Sequence, residues 1–347
     1  MENRHSRKEL HNLTEDFFSN YSTRHWNKTA TNVCFLLVLV LLAISATLGN
    51  LLTMVSVAYF RQLHVPTNIF IVSLAVADFF IGVLVMPFSL LSLVDHWMFG
   101  KTFCTVHFLL DIAFCSASIF NLSSIAVDRY LAICDPLRYA IRMSHQRVTQ
   151  LVLLSWILPM VVSSLTVALG LHSQTLKENK GSRGSATCIF MVSPPFAVTA
   201  FMLSFFLPTV VMATAYWKIF RAVQKQAQQI NTVENQVRQT DQAHNHSQAQ
   251  TCFGMRMERK AARNLGIIMG TYVLCWLPFF STNMVYPLQG YHITSWTIEC
   301  VVWLGYTNSA LNPVLYALLN TSLRQAFSVI LSCRIHEPEV QNSHPSP

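Results

Sequence analysis

Seven apolar runs constrain this chain more than any other feature. They fall at about Val33 to Phe60, Asn68 to Val94, Phe103 to Ile133, Val148 to Leu171, Pro195 to Phe220, Leu265 to Leu288 and Trp296 to Leu319. Each is long enough to cross a hydrocarbon core of about 30 Å as a helix. Lipid offers no water to bond the backbone, so such runs must close their hydrogen bonds internally. The expected fold is all-α: a seven-transmembrane helix bundle over residues 33–319, after a polar segment at 1–32 and before a tail at 320–347. With 52% hydrophobic and 12% charged residues, the composition excludes an ordinary soluble protein.

The first segment lacks a basic start, a short apolar run and a small-residue cleavage site, so no cleaved signal peptide is expected. It carries Asn-x-Ser/Thr acceptors at Asn12, Asn20 and Asn27, which suggest an outer, glycosylated terminus, although Asn245 and Asn320 match the same pattern on the expected inner side. Arg61, Arg138, Arg142, Arg147, Arg221, Lys225, Arg256, Arg259, Lys260 and Arg263 border the loops this orientation puts inside. The expectation is a multi-pass plasma-membrane protein. Its net charge of +8 reads as an orientation signal, not as a nucleic-acid-binding face. Residues 224–254 are rich in Gln and Asn and read as a flexible third cytoplasmic loop. Leu323, Ala326, Phe327, Ile330 and Leu331 recur at helical spacing beside Arg324, which suits a short amphipathic eighth helix on the inner lipid surface. Cys333 at its end is a palmitoylation candidate.

Polar residues inside the spans carry the chemistry. The third span holds Asp111 near one end and Asp128-Arg129-Tyr130 near the other, 18 residues apart from Asp111 to Arg129. That is roughly 27 Å of helix, so one element touches both faces of the membrane. A carboxylate in apolar surroundings is costly, and its natural partner is a cation. Asp78 in the second span needs a proton, an ion or a polar cage, which Ser118, Asn308, Ser309 and Asn312 can provide. Asn50 reads as interhelical glue, and Trp156, Pro159, Pro208 and Tyr216 as packing and kinks. Cys104 and Cys188 both fall in the outer region. A bond between them would pin the loop before the fifth span; the alternative is two free thiols.

Taken in order, these residues resemble the rhodopsin-like G protein-coupled receptors across nearly the whole membrane domain. The matches are Asn50, the Leu-Ala-Val-Ala-Asp ending at Asp78, Cys104 with Cys188, Asp128-Arg129-Tyr130, Trp156, Pro208 with Tyr216, Cys275-Trp276-Leu277-Pro278 and Asn312-Pro313-x-x-Tyr316. Within that family Asp111, Trp276, Phe279, Phe280, Trp303 and Tyr306 look like an aminergic pocket. Arg-Lys-Ala-Ala-Arg-Asn-Leu-Gly-Ile at 259–267 and Cys-Asp-Pro-Leu-Arg-Tyr at 134–139 look most like trace amine-associated receptors. The chain departs from that branch at Asn320, Thr321, Ser322 and Leu323, where a Tyr-x-Trp-Phe sequence is usual, and lacks its extra amino-terminal cysteine, which suggests a divergent member. Tyr272 stands where the family has Phe, beside Ile119 and Pro208.

The resemblance implies a cell-surface receptor for a biogenic or trace amine, with no catalytic residues. Asp111 would meet the ammonium, Trp276, Phe279, Phe280 and Trp303 would add cation-π attraction, and Tyr306 would orient the carboxylate. Cys115 and Ser204 complete the expected ligand-binding set. Ser204 is the one hydroxyl beside Ala200 and Phe201 on the fifth span, which gives a hydroxylated ring few partners. Glu299 lies two turns above Tyr306, so two carboxylates would face one elongated cavity. That suits a diamine or polyamine such as cadaverine. The alternatives are a monoamine read through Asp111 alone, with Glu299 a solvated rim residue, and a polyamine transporter.

On the inner side Arg129, flanked by Asp128 and with Glu258 at the foot of the sixth span, resembles a resting-state lock. Its release would admit a heterotrimeric G protein, with Tyr216 and Tyr316 stabilising the open state. A stimulatory G protein, an olfactory role and arrestin as a further partner follow from resemblance only. Asp78, Ser118, Asn308, Ser309 and Asn312 resemble the family's site for an allosteric sodium ion; no other cofactor is expected. A retinal-bearing opsin would need a lysine in the seventh span, where Tyr306 stands. No internal repeat supports a transporter, and Asp78 and Asp111 lie at different depths, unlike an intramembrane catalytic pair.

Overall fold

The computed structural model describes residues 30–94, 97–168, 172–174, 190–192, 194–237, 245–285 and 295–332. Helix α1 is Ala30–Tyr59. Helix α2 starts at Pro66–Phe80, passes through a π-helical stretch at Ile81–Val85 and ends as Met86–Val94. Then come α3 (Gly100–Cys134), α4 (Pro136–Arg142) and α5 (His145–Ala168). Helix α6 comprises Pro194–Ala200, a second π-helical stretch at Phe201–Phe206 and Leu207–Val237. The chain continues with α7 (Asn245–Val285), α8 (Ser295–Leu319) and α9 (Thr321–Leu331). All but α4 and α9 are the seven spans.

Six of these helices are long and apolar enough to cross a membrane by themselves. Helix α8 meets that test only together with α9, from which it is bent by 101°. Its inward face explains the difference, because Asn308, Ser309 and Asn312 are all buried there. The same inversion runs through the bundle. Leu41 (63% exposed) and Leu274 (74%) point outward, while Asn50, Asp78, Ser118 and Asn121 are fully buried. Lipid is the solvent for the outer surface, and polar groups find their partners between helices. Helix α3 is the hub, packed against α2, α5 and α6; α7 lies between α6 and α8, and α1 closes the ring against α2 and α8. Asn50 acts as expected, donating from Nδ2 to Ala46 O (2.8 Å) and across to Ser309 O (3.1 Å). Trp156 donates to Ser73 Oγ at 2.9 Å.

Local chemistry sets the helix ends. Pro66 opens α2 behind an extended Val65, and Pro136 ends α3 by driving Asp135 out of the helical region. Gly100 opens α3 with φ +73°, and Trp97 Nε1 donates to its carbonyl at 2.8 Å. The π-helical stretch in α6 lies just before Pro208, whose ring clashes with a regular ladder. Asn320 caps α9, its Oδ1 accepting from the backbone of Ser322 and Leu323, while Leu323, Ala326 and Phe327 are buried and Arg324 is exposed.

Two features differ from the sequence reading. A short antiparallel pair, β1 (His172–Gln174) and β2 (Phe190–Val192), sets Ser173 opposite Met191 and is the one pair of strands among the described residues. The expected flexible loop at 224–254 is partly helical, since α6 runs to Val237 and α7 begins at Asn245. No Gly or Pro interrupts the sequence from Thr209 to Phe253, and Gln and Ala sustain a helix once an apolar span has nucleated it.

Candidate functional site

At the Cys104 end of α3, Asp111 is half-buried and accepts a side-chain hydrogen bond from its own helix. Cys115, one turn along the same helix, donates Sγ–H to Asp111 Oδ1 at 3.2 Å. The Tyr306 hydroxyl of α8 lies beside the same carboxylate. An ionised carboxylate only accepts, so the Tyr306 hydroxyl can meet it only as a donor, and Ser89 Oγ lies 3.4 Å from the Tyr306 oxygen. Among the described residues no lysine or arginine pairs with Asp111. A thiol, a phenol and the His107 imidazole one turn away are its protein neighbours, and an acid so placed within a membrane span is a natural site for a cation.

Aromatic rings surround this corner. Trp303 packs edge-on to Tyr306 at 5.6 Å, and Trp276 lies against Gly305, where an added Cβ would stand 2.9 Å from Trp276 Cζ3. Trp276, Phe279 and Phe280 form one cluster, with centroids 5.6, 5.9 and 5.2 Å apart. Phe201 and Phe205 of α6 extend it toward Phe280. The Trp276 Nε1–H is buried with no partner among the described residues. Ser204 is buried on the π-helical stretch of α6. Glu299 is half-buried on α8, seven residues before Tyr306 and so roughly 10 Å further along the helix. Cys104 is buried and disulfide-bonded; Cys188 lies outside the described residues.

One site residue has no clear sequence signal. His107 is buried one turn from Asp111 on α3, with Nε2 3.2 Å from Val85 O and 3.5 Å from Ser89 Oγ. A lone histidine in an apolar run looks like core, and only its i, i+4 relation to Asp111 was available as a clue.

Midway along the bundle, the fully buried Asp78 accepts from Ser118 Oγ (2.8 Å), Ser309 Oγ (2.7 Å) and Asn312 Nδ2 (2.7 Å). Asn308 is beside Ser309, and its Nδ2 is buried with no partner among the described residues. Pro313 packs toward Gly49 of α1, and the Tyr316 hydroxyl is buried, also with no partner among the described residues. Nearer the pocket, Tyr272 is fully buried with its hydroxyl 3.3 Å from Thr209 Oγ1.

At the other end of α3, Asp128 is fully buried and collects three donors. Thr67 donates at 2.8 Å, Tyr139 of α4 at 2.7 Å, and Arg129 through Nε at 2.9 Å and Nη2 at 2.5 Å. Arg129 also reaches Thr67 Oγ1. Burial and the Asp128 bond push the Tyr139 phenol above its ordinary value of 10. Tyr130 lies under Lys218 Nζ, 5.1 Å from the ring centroid. Tyr216 packs against Gly266 of α7, where an added Cβ would stand 2.8 Å from its hydroxyl. Asn264 of α7 donates to Leu319 O at 2.8 Å, closing the end of α8. The side chain of Glu258, and Asn12, Asn20, Asn27 and Cys333, lie outside the described residues.

The family model for the 7 transmembrane receptor (rhodopsin family) matches residues 49–316. The human 5-hydroxytryptamine receptor 4 is 39% identical over 325 residues, covering 91% of this chain and 84% of the relative. Rat trace amine-associated receptor 6 is 38% identical over 295 residues, covering 84% of each. The human histamine H2 receptor is 34% identical over 320 residues, covering 92% of this chain and 84% of the relative. All are receptors, not enzymes, and the several branches stand at similar identity. The chain therefore belongs to the rhodopsin family of seven-transmembrane, G protein-coupled receptors, within its aminergic group.

Proposed function

We propose that this receptor sits in the plasma membrane with its amino terminus outside, binds an amine at Asp111 and signals to a heterotrimeric G protein at the Arg129 end. The observation that carries the reading is Asp111 itself, an acid beside the Tyr306 hydroxyl with no lysine or arginine paired to it among the described residues. An ammonium leaving water recovers its solvation from that carboxylate and from neighbouring ring faces. The relatives' names, for 5-hydroxytryptamine, histamine and trace amines, support the same ligand class.

The favoured ligand is a diamine or polyamine, cadaverine-like in length. Glu299, about 10 Å along α8 from Tyr306, would hold the second ammonium. Coupling to a stimulatory G protein in a chemosensory cell completes this reading. Comparing cadaverine with pentylamine isolates the second charge, because the two differ only by one amine. Cyclic AMP responses should show cadaverine potency falling about tenfold or more in Glu299→Gln, with pentylamine unchanged. Equal behaviour of the two amines in that variant would contradict the diamine reading. A monoamine is the second reading, favoured by the buried Ser204 on α6, which can meet a polar group on a ring.

The oxygens around Asp78 fit a sodium ion, which prefers hard ligands: one carboxylate and the hydroxyls of Ser118 and Ser309, beside Asn308 and Asn312. The ion would supply charge neutralisation at a group that otherwise has only neutral partners.

A further inference from the structure

Three polar side chains from three helices meet beside Asp111 on its α2 side: Ser89, His107 and Tyr306. His107 is one helical turn from Asp111, so the two side chains share a face about 6 Å apart. A backbone carbonyl only accepts, so His107 Nε2, 3.2 Å from Val85 O, carries the hydrogen. In the neutral ring Nδ1 then keeps its lone pair, and it has no protein partner among the described residues. The ring is fixed as well. It is buried, with Trp97, Phe108 and Phe88 at 5.8, 5.9 and 6.2 Å. Phenylalanine would satisfy that packing equally; the nitrogens are what histidine adds.

We propose that His107 is a second polar anchor of the ligand site: its Nδ1 accepts from a hydroxyl or second N–H carried within about two carbons of the ammonium that Asp111 holds. Ser89 and Val85 O are the positioning partners that fix its tautomer. The ligand class is an amine with a hydrogen-bond donor close to the ammonium, a different feature from the distant charge assigned to Glu299. This inference rests on the amine reading of Asp111.

The test is ligand-induced thermal stabilisation of the purified full-length receptor, which needs no G protein. The probes are 2-phenylethylamine and 2-amino-1-phenylethanol, which differ by one hydroxyl. The wild type should bind the hydroxylated probe roughly three- to tenfold more tightly. His107→Phe should erase that preference while binding 2-phenylethylamine as before, and His107→Gln, which keeps an acceptor, should restore part of it. Equal weakening of both probes in His107→Phe would mean a packing role and overturn the proposal. So would a preference that survives His107→Phe, or a wild type without preference or without binding to either probe. Asp111→Asn separates the two readings. If it binds 2-phenylethylamine as the wild type does, the amine reading fails. If it loses the probe while His107→Phe keeps the preference, only the role of His107 fails.

Discussion

The Tyr272 hydroxyl bridges α7 to α6 through Thr209, 3.3 Å away. Thr209 has one hydrogen and gives it to Phe205 O at 2.6 Å, so Tyr272 must be the donor. This tie sits beside Pro208, and the family's usual Phe could not make it. If signalling separates α7 from α6, the bond favours the resting state by about 1 kcal/mol. Tyr272→Phe should raise ligand-independent signalling roughly two- to tenfold at matched surface expression. An unchanged or lower basal signal would show that the bond does not restrain α7.

Helix α8 approaches Trp276 at Gly305, where an added Cβ would stand 2.9 Å from the indole. Trp276 is nearly fully buried and has little room to yield. Gly305→Ala should therefore cost about 1–3 kcal/mol of stability, seen as a lower melting temperature of the solubilised receptor, and should weaken agonist response. A variant that melts with the wild type would show that the indole relaxes freely.

Asp78 collects three donors at 2.7–2.8 Å with no basic partner among the described residues. Asp78→Asn keeps an acceptor and removes the charge. Replacing choline chloride by sodium chloride at constant ionic strength should lower agonist potency in the wild type and leave Asp78→Asn unaffected. The same response in both would argue against an ion at this site.

Tyr139 supplies one of the donors to Asp128, which in turn holds Arg129. Removing it in Tyr139→Phe should loosen Arg129 and raise basal signalling by roughly two- to fivefold. The phenol is shifted upward, so the folded state prefers its protonated form. Its contribution is full below the ordinary value of 10 and is lost only as pH rises through the higher folded value. Basal signalling of the wild type and Tyr139→Phe should keep a constant ratio between about pH 6 and 8. A ratio that changes across that interval would mean that another group controls the contact.

Much of this was legible in the chain because lipid simplifies the code. Apolar length announces each span, and a polar residue inside a span must have an inward partner, which is why the sequence alone pairs Asp78 with Ser118, Ser309 and Asn312, all of which donate to it. Tyr306, expected to orient Asp111, lies beside it, and Cys115 donates to the same carboxylate. Other features depend on geometry that spacing does not encode. Pro208 announces a disturbed helix but not the π-helical register at Phe201–Phe206. His107 and Ser89 gain significance only because α2 and α3 bring them to the same corner. The Gln-rich stretch after Gln224 is polar enough for a loop and also a good helix former, and the preceding span favours the helix as far as Val237.

The central claim is that Asp111 holds an ammonium, and the most direct measurement is a dose response to a panel of cadaverine, spermine, 2-phenylethylamine and histamine. Cells would express the wild type or Asp111→Asn at equal surface levels. Truncating a buried, hydrogen-bonded charge pair costs about 2–5 kcal/mol, so every agonist of the wild type should lose roughly 30-fold or more in potency in Asp111→Asn. An agonist amine that keeps its wild-type potency in that variant would contradict the claim.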